Sequence, residues 1–219
     1  MVNRLLEACV ETVEAALAAE AGGAGRVELC SDLDAGGLTP PAGLIHAAAA
    51  RLRVPVFVLI RARAGDFVFS EAERELMRHD VTVARALGAG GVVVGGLTAA
   101  GDVDEILVSE LLRAARPLPV TFHRAFDAAR EPEFALERLI ALGVGRVLTS
   151  GRASAAVEGA GLIAELVHQA AGRIGILAGG GVRAHNVEEV VRRTGVTEVH
   201  SRTPAATDQV RQLVDRLMA

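Results

Sequence analysis

The densest run of reactive side chains is Val120-Thr121-Phe122-His123-Arg124-Ala125-Phe126-Asp127. His123 offers an imidazole, whose ordinary pKa near neutrality suits proton transfer in either direction. Arg124 offers a planar fork for a carboxylate or phosphate. Asp127 adds a carboxylate. Val120 and Phe122 alternate with Thr121 and His123, as side chains do on opposite faces of a strand. The segment therefore reads as a buried strand that gives way to a polar loop.

Other residues offer the same kinds of chemistry. For acid–base work, His123 leads, with Glu28 or Asp66 as partners and Glu7 or Asp127 as alternatives. For anion binding, Arg61, Arg63 and Arg124 supply bidentate grips. Gly179, Gly180 and Gly181 would let backbone N–H groups approach an anion. Ser150, Gly151 and Ser201 add donors. The glycines serve equally well as a tight turn, and each arginine as the partner of a barrel carboxylate. For soft-metal binding, Cys9 and Cys30 occupy equivalent positions on two neighbouring strands, with His200 as a third ligand. Two thiolates suit Cu(I). Two small buried side chains filling a core are the alternative.

Composition removes other chemistries. All 23 basic residues are Arg, and the chain has no Lys, Tyr or Trp. A Schiff-base lysine is excluded, as is a phenolic acid. The net charge of −4 gives no reason to expect nucleic acid or a membrane surface as partner. Two cysteines do not make a secreted disulfide scaffold. The N-terminus meets Glu7 without an apolar run of signal length, and no stretch approaches the ~20 apolar residues of a membrane span. A cytoplasmic protein is expected.

These residues need elements to position them. Apolar strands are expected near 5–9, 26–30, 55–61, 91–95, 119–123, 146–150, 174–178 and 197–201. Helical patterns lie between them, near 11–21, 41–51, 70–87, 104–115, 131–142, 158–171, 184–194 and 204–218. Helices ending in Gly before a short strand recur around Gly23, Gly88, Gly143 and Gly195. Ser70 marks a helix start, Pro132 and Pro204 suit first turns, Thr39 is expected to cap the second helix and Asp104 the fourth. Strict strand–helix alternation predicts a single (β/α)8 TIM barrel over 1–219, with its working face at the C-terminal strand ends. An open doubly wound sheet is the alternative.

Several stretches together resemble the copper homeostasis protein CutC family. They are Arg26-Val27-Glu28-Leu29-Cys30-Ser31, Gly36-Gly37-Leu38-Thr39-Pro40 and Ile60-Arg61-Ala62-Arg63-Ala64-Gly65-Asp66-Phe67. Thr121-Phe122-His123-Arg124-Ala125-Phe126-Asp127, Arg146-Val147-Leu148-Thr149-Ser150-Gly151 and Gly179-Gly180-Gly181-Val182 complete the set. The chain departs from the family pattern at Ala62, where the family usually has Pro, and at Phe69, where it usually has Tyr. The resemblance implies a (β/α)8 barrel, a cytoplasmic location, copper handling with Cys9 and Cys30 as Cu(I) ligands, and self-association. The apolar helix from Ala42 to Ala50 would suit a homodimer contact. Three expectations remain side by side: Cu(I) binding, a metal-independent lyase or isomerase acting on a small phosphorylated or carboxylated molecule, or a non-catalytic small-ligand sensor using the same pocket.

Overall fold

The structure is a computed structural model that describes residues 4–203 and 205–219. Eight parallel strands pair in chain order and close into a barrel. They are β1 (Leu5–Val10), β2 (Arg26–Leu29), β3 (Val56–Leu59), β4 (Gly91–Val94), β5 (Val120–Phe122), β6 (Arg146–Thr149), β7 (Gly175–Ala178) and β8 (Glu198–Arg202). The helices between them are α1 (Val13–Ala21), α2 (Ala42–Ala49), α3 (Glu71–Ala86), α4 (Glu105–Ala115), α5 (Pro132–Leu142), α6 (Ala160–Ala170), α7 (Val187–Thr194) and α8 (Thr207–Met218). Closure is made by β1 against β8, in register from Leu5↔Glu198 to Cys9↔Arg202. This is the expected (β/α)8 barrel, and the open-sheet alternative falls.

Local chemistry explains several boundaries. Ser70 and Glu73 form a reciprocal capping box at the start of α3. The Asp104 carboxylate accepts the Leu107 N–H at 3.1 Å and starts α4. Pro132 occupies the first turn of α5, where a missing N–H loses nothing. Gly143 and Gly195 end α5 and α7 at φ 82° and 73°, a conformation that glycine adopts without steric penalty.

Some expectations need correction. Thr39 does not cap α2. Ser31 pairs with Leu38 in an isolated bridge, which carries Thr39 to the end of β3, where its hydroxyl accepts the Arg61 N–H at 3.0 Å. Helix α8 begins at Thr207, and Pro204, expected in its first turn, lies outside the described residues. Two 3-10 turns, Leu33–Ala35 and Arg124–Ala128, stand where loops were expected.

Alternation along each strand sorts the core. Leu6, Ala8 and Val10 join the large apolar cluster beneath the helices. Cys9, Cys30, Phe57, Leu59 and Val93 form a second, smaller cluster. Beside it, the lower barrel carries charge. Arg26 pairs with Glu7, and with Glu198 at 2.6 Å; Arg146 also reaches Glu198, at 2.7 Å. The Phe57 ring lies between these guanidiniums, 5.1 Å from Arg26 Cζ and 5.6 Å from Arg146 Cζ. Gly91 makes room for that ring, since a Cβ there would lie 2.5 Å from it. The layer is a paired polar floor, and pairing is what makes buried charge tolerable.

Candidate functional site

A cavity of about 240 Å³ opens at the C-terminal strand ends. Ligand pockets typically enclose roughly 300–1,000 Å³, so this one suits a small guest. Its apolar wall includes Leu33, Leu59, Phe67 and Leu148. Its polar groups come from five strand ends: Cys9, Glu28, Arg61, His123 and His200. Four arginines reach it: Arg61, Arg124, Arg183 and Arg202.

His123 follows β5 directly. Its Nδ1 accepts the Ala125 N–H at 3.1 Å, so in the neutral ring Nε2 bears the proton. Burial, then the Arg61 charge, lowers its pKa to about 3. The ring is therefore a neutral N–H donor at any physiological pH. Phe67 packs on it with centroids 5.2 Å apart, and Arg61 Cζ lies 4.9 Å over the same Phe67 ring. Glu28, the expected partner of His123, is hydrogen-bonded elsewhere: the Cys9 thiol donates to its Oε1 at 3.8 Å.

His200 has taken the partnership expected of His123. Its Nδ1 lies 2.8 Å from Glu7 Oε1 and 3.9 Å from Glu28 Oε2. Burial works to lower its pKa, but the Glu28 charge and the Glu7 hydrogen bond win and raise it. Glu7 is pushed up by burial, yet its bonds from His200 and the Arg26 charge bring it to about 2. Glu28 lacks that support, and burial pushes it up to about 7. Two carboxylates in one barrel thus divide, one fixed as an anion and one poised for proton transfer.

The thiols meet, although their positions are not the equivalent ones expected: the register sets Cys9 opposite Glu28, and Cys30 follows the last residue of β2. Cys9 Sγ and Cys30 Sγ are 3.6 Å apart, and both residues are buried. Cys9 lines the cavity; Cys30 lies against Cys9 outside the lining and points its thiol at the Val10 carbonyl, 3.5 Å away. The Cys30 hydrogen bond, burial and the Glu28 charge raise the Cys9 pKa well above the ordinary thiol range. Donor atoms of Cys9, Glu28 and His200 all lie within 4.8 Å of one another. Sulfur and imidazole fit a soft ion. The neighbouring carboxylates disfavour a thiolate but favour a cation, so the donor set suits a metal that displaces the thiol proton on binding.

The other expected residues divide. Gly180 and Gly181 line the cavity at φ 96° and 66°, and Ser201 lines it too. The Ser201 hydroxyl is engaged with the Val182 carbonyl at 2.7 Å. Arg124 reaches the mouth but is tied to Asp127 at 2.8 Å and Ser150 at 2.8 Å. Ser150, Gly151 and Gly179 are structural neighbours of the site, outside its lining. Ser150 and Thr149 donate to Asp127. The Gly151 N–H donates to Thr149 Oγ1. A Cβ on Gly179 would meet Leu148 at 2.5 Å. Arg63 and Asp66 are not brought to the cavity. They pair with each other at 2.8 Å on the exposed β3–α3 loop, and Arg63 also holds Glu73. Sequence reasoning missed Arg183, Arg202 and Phe67. Arg183 follows the glycine run by two residues and Arg202 alternates with His200, so strand-end position was the available signal.

Three cavity-lining residues carry a buried polar atom without a protein partner: Glu28 Oε2, Arg61 Nε and His123 Nε2. Each such atom costs roughly 1–3 kcal/mol if left dry. Among the described residues that line the cavity, these three are the ones that carry such an atom.

The family model for the CutC family matches residues 4–205. The chain belongs to the CutC family. It is 48% identical over 204 residues to a mouse protein named copper homeostasis protein cutC homolog, covering 93% of this chain and 75% of that one. It is 52% identical over 196 residues to a family protein CutC from Xanthomonas axonopodis pv. citri, covering 90% and 82%. The CutC crystal structure from Streptococcus agalactiae superposes with a TM-score of 0.86 at 35% identity, over 90% of this chain and 97% of that one. A thiamine phosphate pyrophosphorylase from Pyrococcus furiosus, at 16% identity and TM-score 0.66, shares the fold alone.

Proposed function

We propose that this CutC-family barrel takes part in copper homeostasis by binding Cu(I) at Cys9 and Cys30, with His200 as third donor. The carrying observation is the contact of two unjoined thiols, 3.6 Å apart, below an open cavity. Unjoined thiols in contact also suit a reducing compartment, which supports a cytoplasmic location. The ion is cargo. Cys9 and Cys30 would bind it, His200 would close one side, and Glu7 would hold His200 in place through the 2.8 Å bond. Binding releases thiol protons, so apparent affinity rises with pH. The test is an anaerobic Cu(I) competition titration against a chromophoric chelator, wild type beside Cys9→Ser/Cys30→Ser. One-to-one binding lost in the double variant supports the reading. Binding that survives both substitutions overturns it.

A second reading has its own observation. Glu28, with its pKa near 7, stands in the same cavity as the unpartnered N–H of neutral His123. That pair could run proton transfer in a metal-independent lyase or isomerase, Glu28 as base and His123 as donor to a developing oxyanion.

A further inference from the structure

The three unpartnered atoms differ in kind, and the difference describes the guest. Arg61 Nη1 donates to the carbonyls of Gly36 and Gly37, at 3.2 and 3.3 Å, and Nη2 to that of Gly65 at 2.9 Å. Its Nε–H remains without any partner, and Nη2 keeps a second N–H. His123 Nδ1 is taken by Ala125, so its Nε2–H remains. Both residues contact the ring of Phe67, so their unpartnered N–H groups belong to one side of the wall. Between them they carry one formal charge. A planar monoanion with two oxygens matches that pair of donors. Arg124 is answered by Asp127 and Arg202 by Asp34, while Arg183 donates to the Val182 carbonyl and the Ser201 hydroxyl and meets no carboxylate among the described residues. Glu28 Oε2 is the third atom and is an oxygen. A hydroxyl can donate to it or accept from it, so it meets this carboxyl in either protonation state. Leu59, Phe67 and Leu148 leave an apolar wall for the carbon skeleton of the guest.

We propose that the barrel mouth binds a short hydroxycarboxylate, its carboxylate held by Arg61 Nε and His123 Nε2 and its hydroxyl by Glu28 Oε2. This names the substrate class that the second reading leaves open, and as a binding site it stands without turnover. It does not depend on copper either.

The experiment is calorimetric titration of the full chain with glycolate, L-lactate and D-glycerate, each with a copper chelator present. Propionate, glycerol and inorganic phosphate are the comparators. At least one hydroxycarboxylate binds, at least tenfold more tightly than propionate, and glycerol does not bind. His123→Phe keeps a ring against Phe67, removes the N–H and weakens binding roughly tenfold. Wild-type NMR of the imidazole nitrogens covers the case where that variant misfolds: the His123 Nε2–H resonance shifts with the bound acid and not with glycerol. No binding by any of the three acids overturns the proposal. So does phosphate binding as tightly as the best of them, or an Nε2–H that stays put at saturation. Binding without turnover would leave this site standing and remove the enzyme reading; copper binding is scored separately.

Discussion

Gly95 is small because His123 needs the space. A Cβ there would lie 2.2 Å from His123 Cε1 and 2.4 Å from Nδ1. Gly95→Ala should therefore turn the imidazole out of place and destabilise the fold by about 1–3 kcal/mol, the usual range for overpacking. Thermal melts would read the loss, and the imidazole NMR would show the broken Ala125 bond. Glu28 makes a prediction of opposite character. Its folded pKa, about 7, is above the unfolded value of 4.5. Stability from this group is complete below pH 4.5 and is lost as pH rises toward 7. The melting temperature of Glu28→Gln should therefore gain on wild type between pH 5 and 8; a constant gap would disprove the burial argument. His123 acts the other way, with a folded pKa near 3 against 6.5 unfolded. Its contribution is present above pH 6.5 and is lost as pH falls toward 3. At this scale the residue types were legible and the pairings were not. Glu28, Arg61, His123, Cys9 and His200 all reach the cavity, as strand-end position implied. That Glu7 binds His200, and that His123 Nδ1 accepts from its own loop at Ala125, depends on three-dimensional offsets that alternation along one strand does not carry.

Elements set those offsets. The 3-10 turn Arg124–Ala128 places Asp127 beneath the end of β6, where it accepts from Thr149 Oγ1 at 2.5 Å and from the Ser150 N–H at 3.1 Å. Asp127→Ala would leave these donors and Arg124 without their carboxylate. A loss of about 3 kcal/mol is expected, with hydrogen exchange accelerated in the β6–α6 loop and unchanged in α1. By contrast, Ser70→Ala removes a cap on the exposed start of α3. It should cost about 1 kcal/mol and leave ligand binding at the mouth intact. The cap, the strand and the helix-ending glycine were all readable, because each is a local rule about one or two residues. The β2–α2 and β3–α3 loops were not. Arg61 folds back on the carbonyls of Gly36 and Gly37, while Arg63, two residues later, swings out to Asp66 and Glu73. Nothing in Arg61-Ala62-Arg63 distinguishes the two, since both are arginines near one strand end.

At the scale of the whole molecule, the barrel was legible from alternation, and its charged floor was not expected. Glu7 is fully buried between Arg26 and His200. Removing its charge leaves the Arg26 guanidinium and the His200 ring facing an uncharged side chain. Glu7→Gln should destabilise the fold by about 3–5 kcal/mol, the range for breaking a buried pair, measured by denaturant unfolding near neutral pH. The native charge also sets an acid limit. Its folded pKa of about 2 lies below the unfolded 4.5, so its contribution holds above pH 4.5 and is lost as pH falls toward 2. Self-association through α2 is a matter for light scattering: a mass near twice 22.7 kDa would support the expected dimer.

The floor has a consequence for how the ring could be divided. Cut between β4 and β5, the chain would leave Glu7 and Arg26 in one half, Arg146 and Glu198 in the other. The bond from Arg26 to Glu198 crosses the gap on the β8 side, and Phe57 of the first half would seek Arg146 of the second. Two separately made halves would thus carry matching marks. Only one rotational setting brings the carboxylate of one against the guanidinium of the other, and the ring would reassemble keyed by charge.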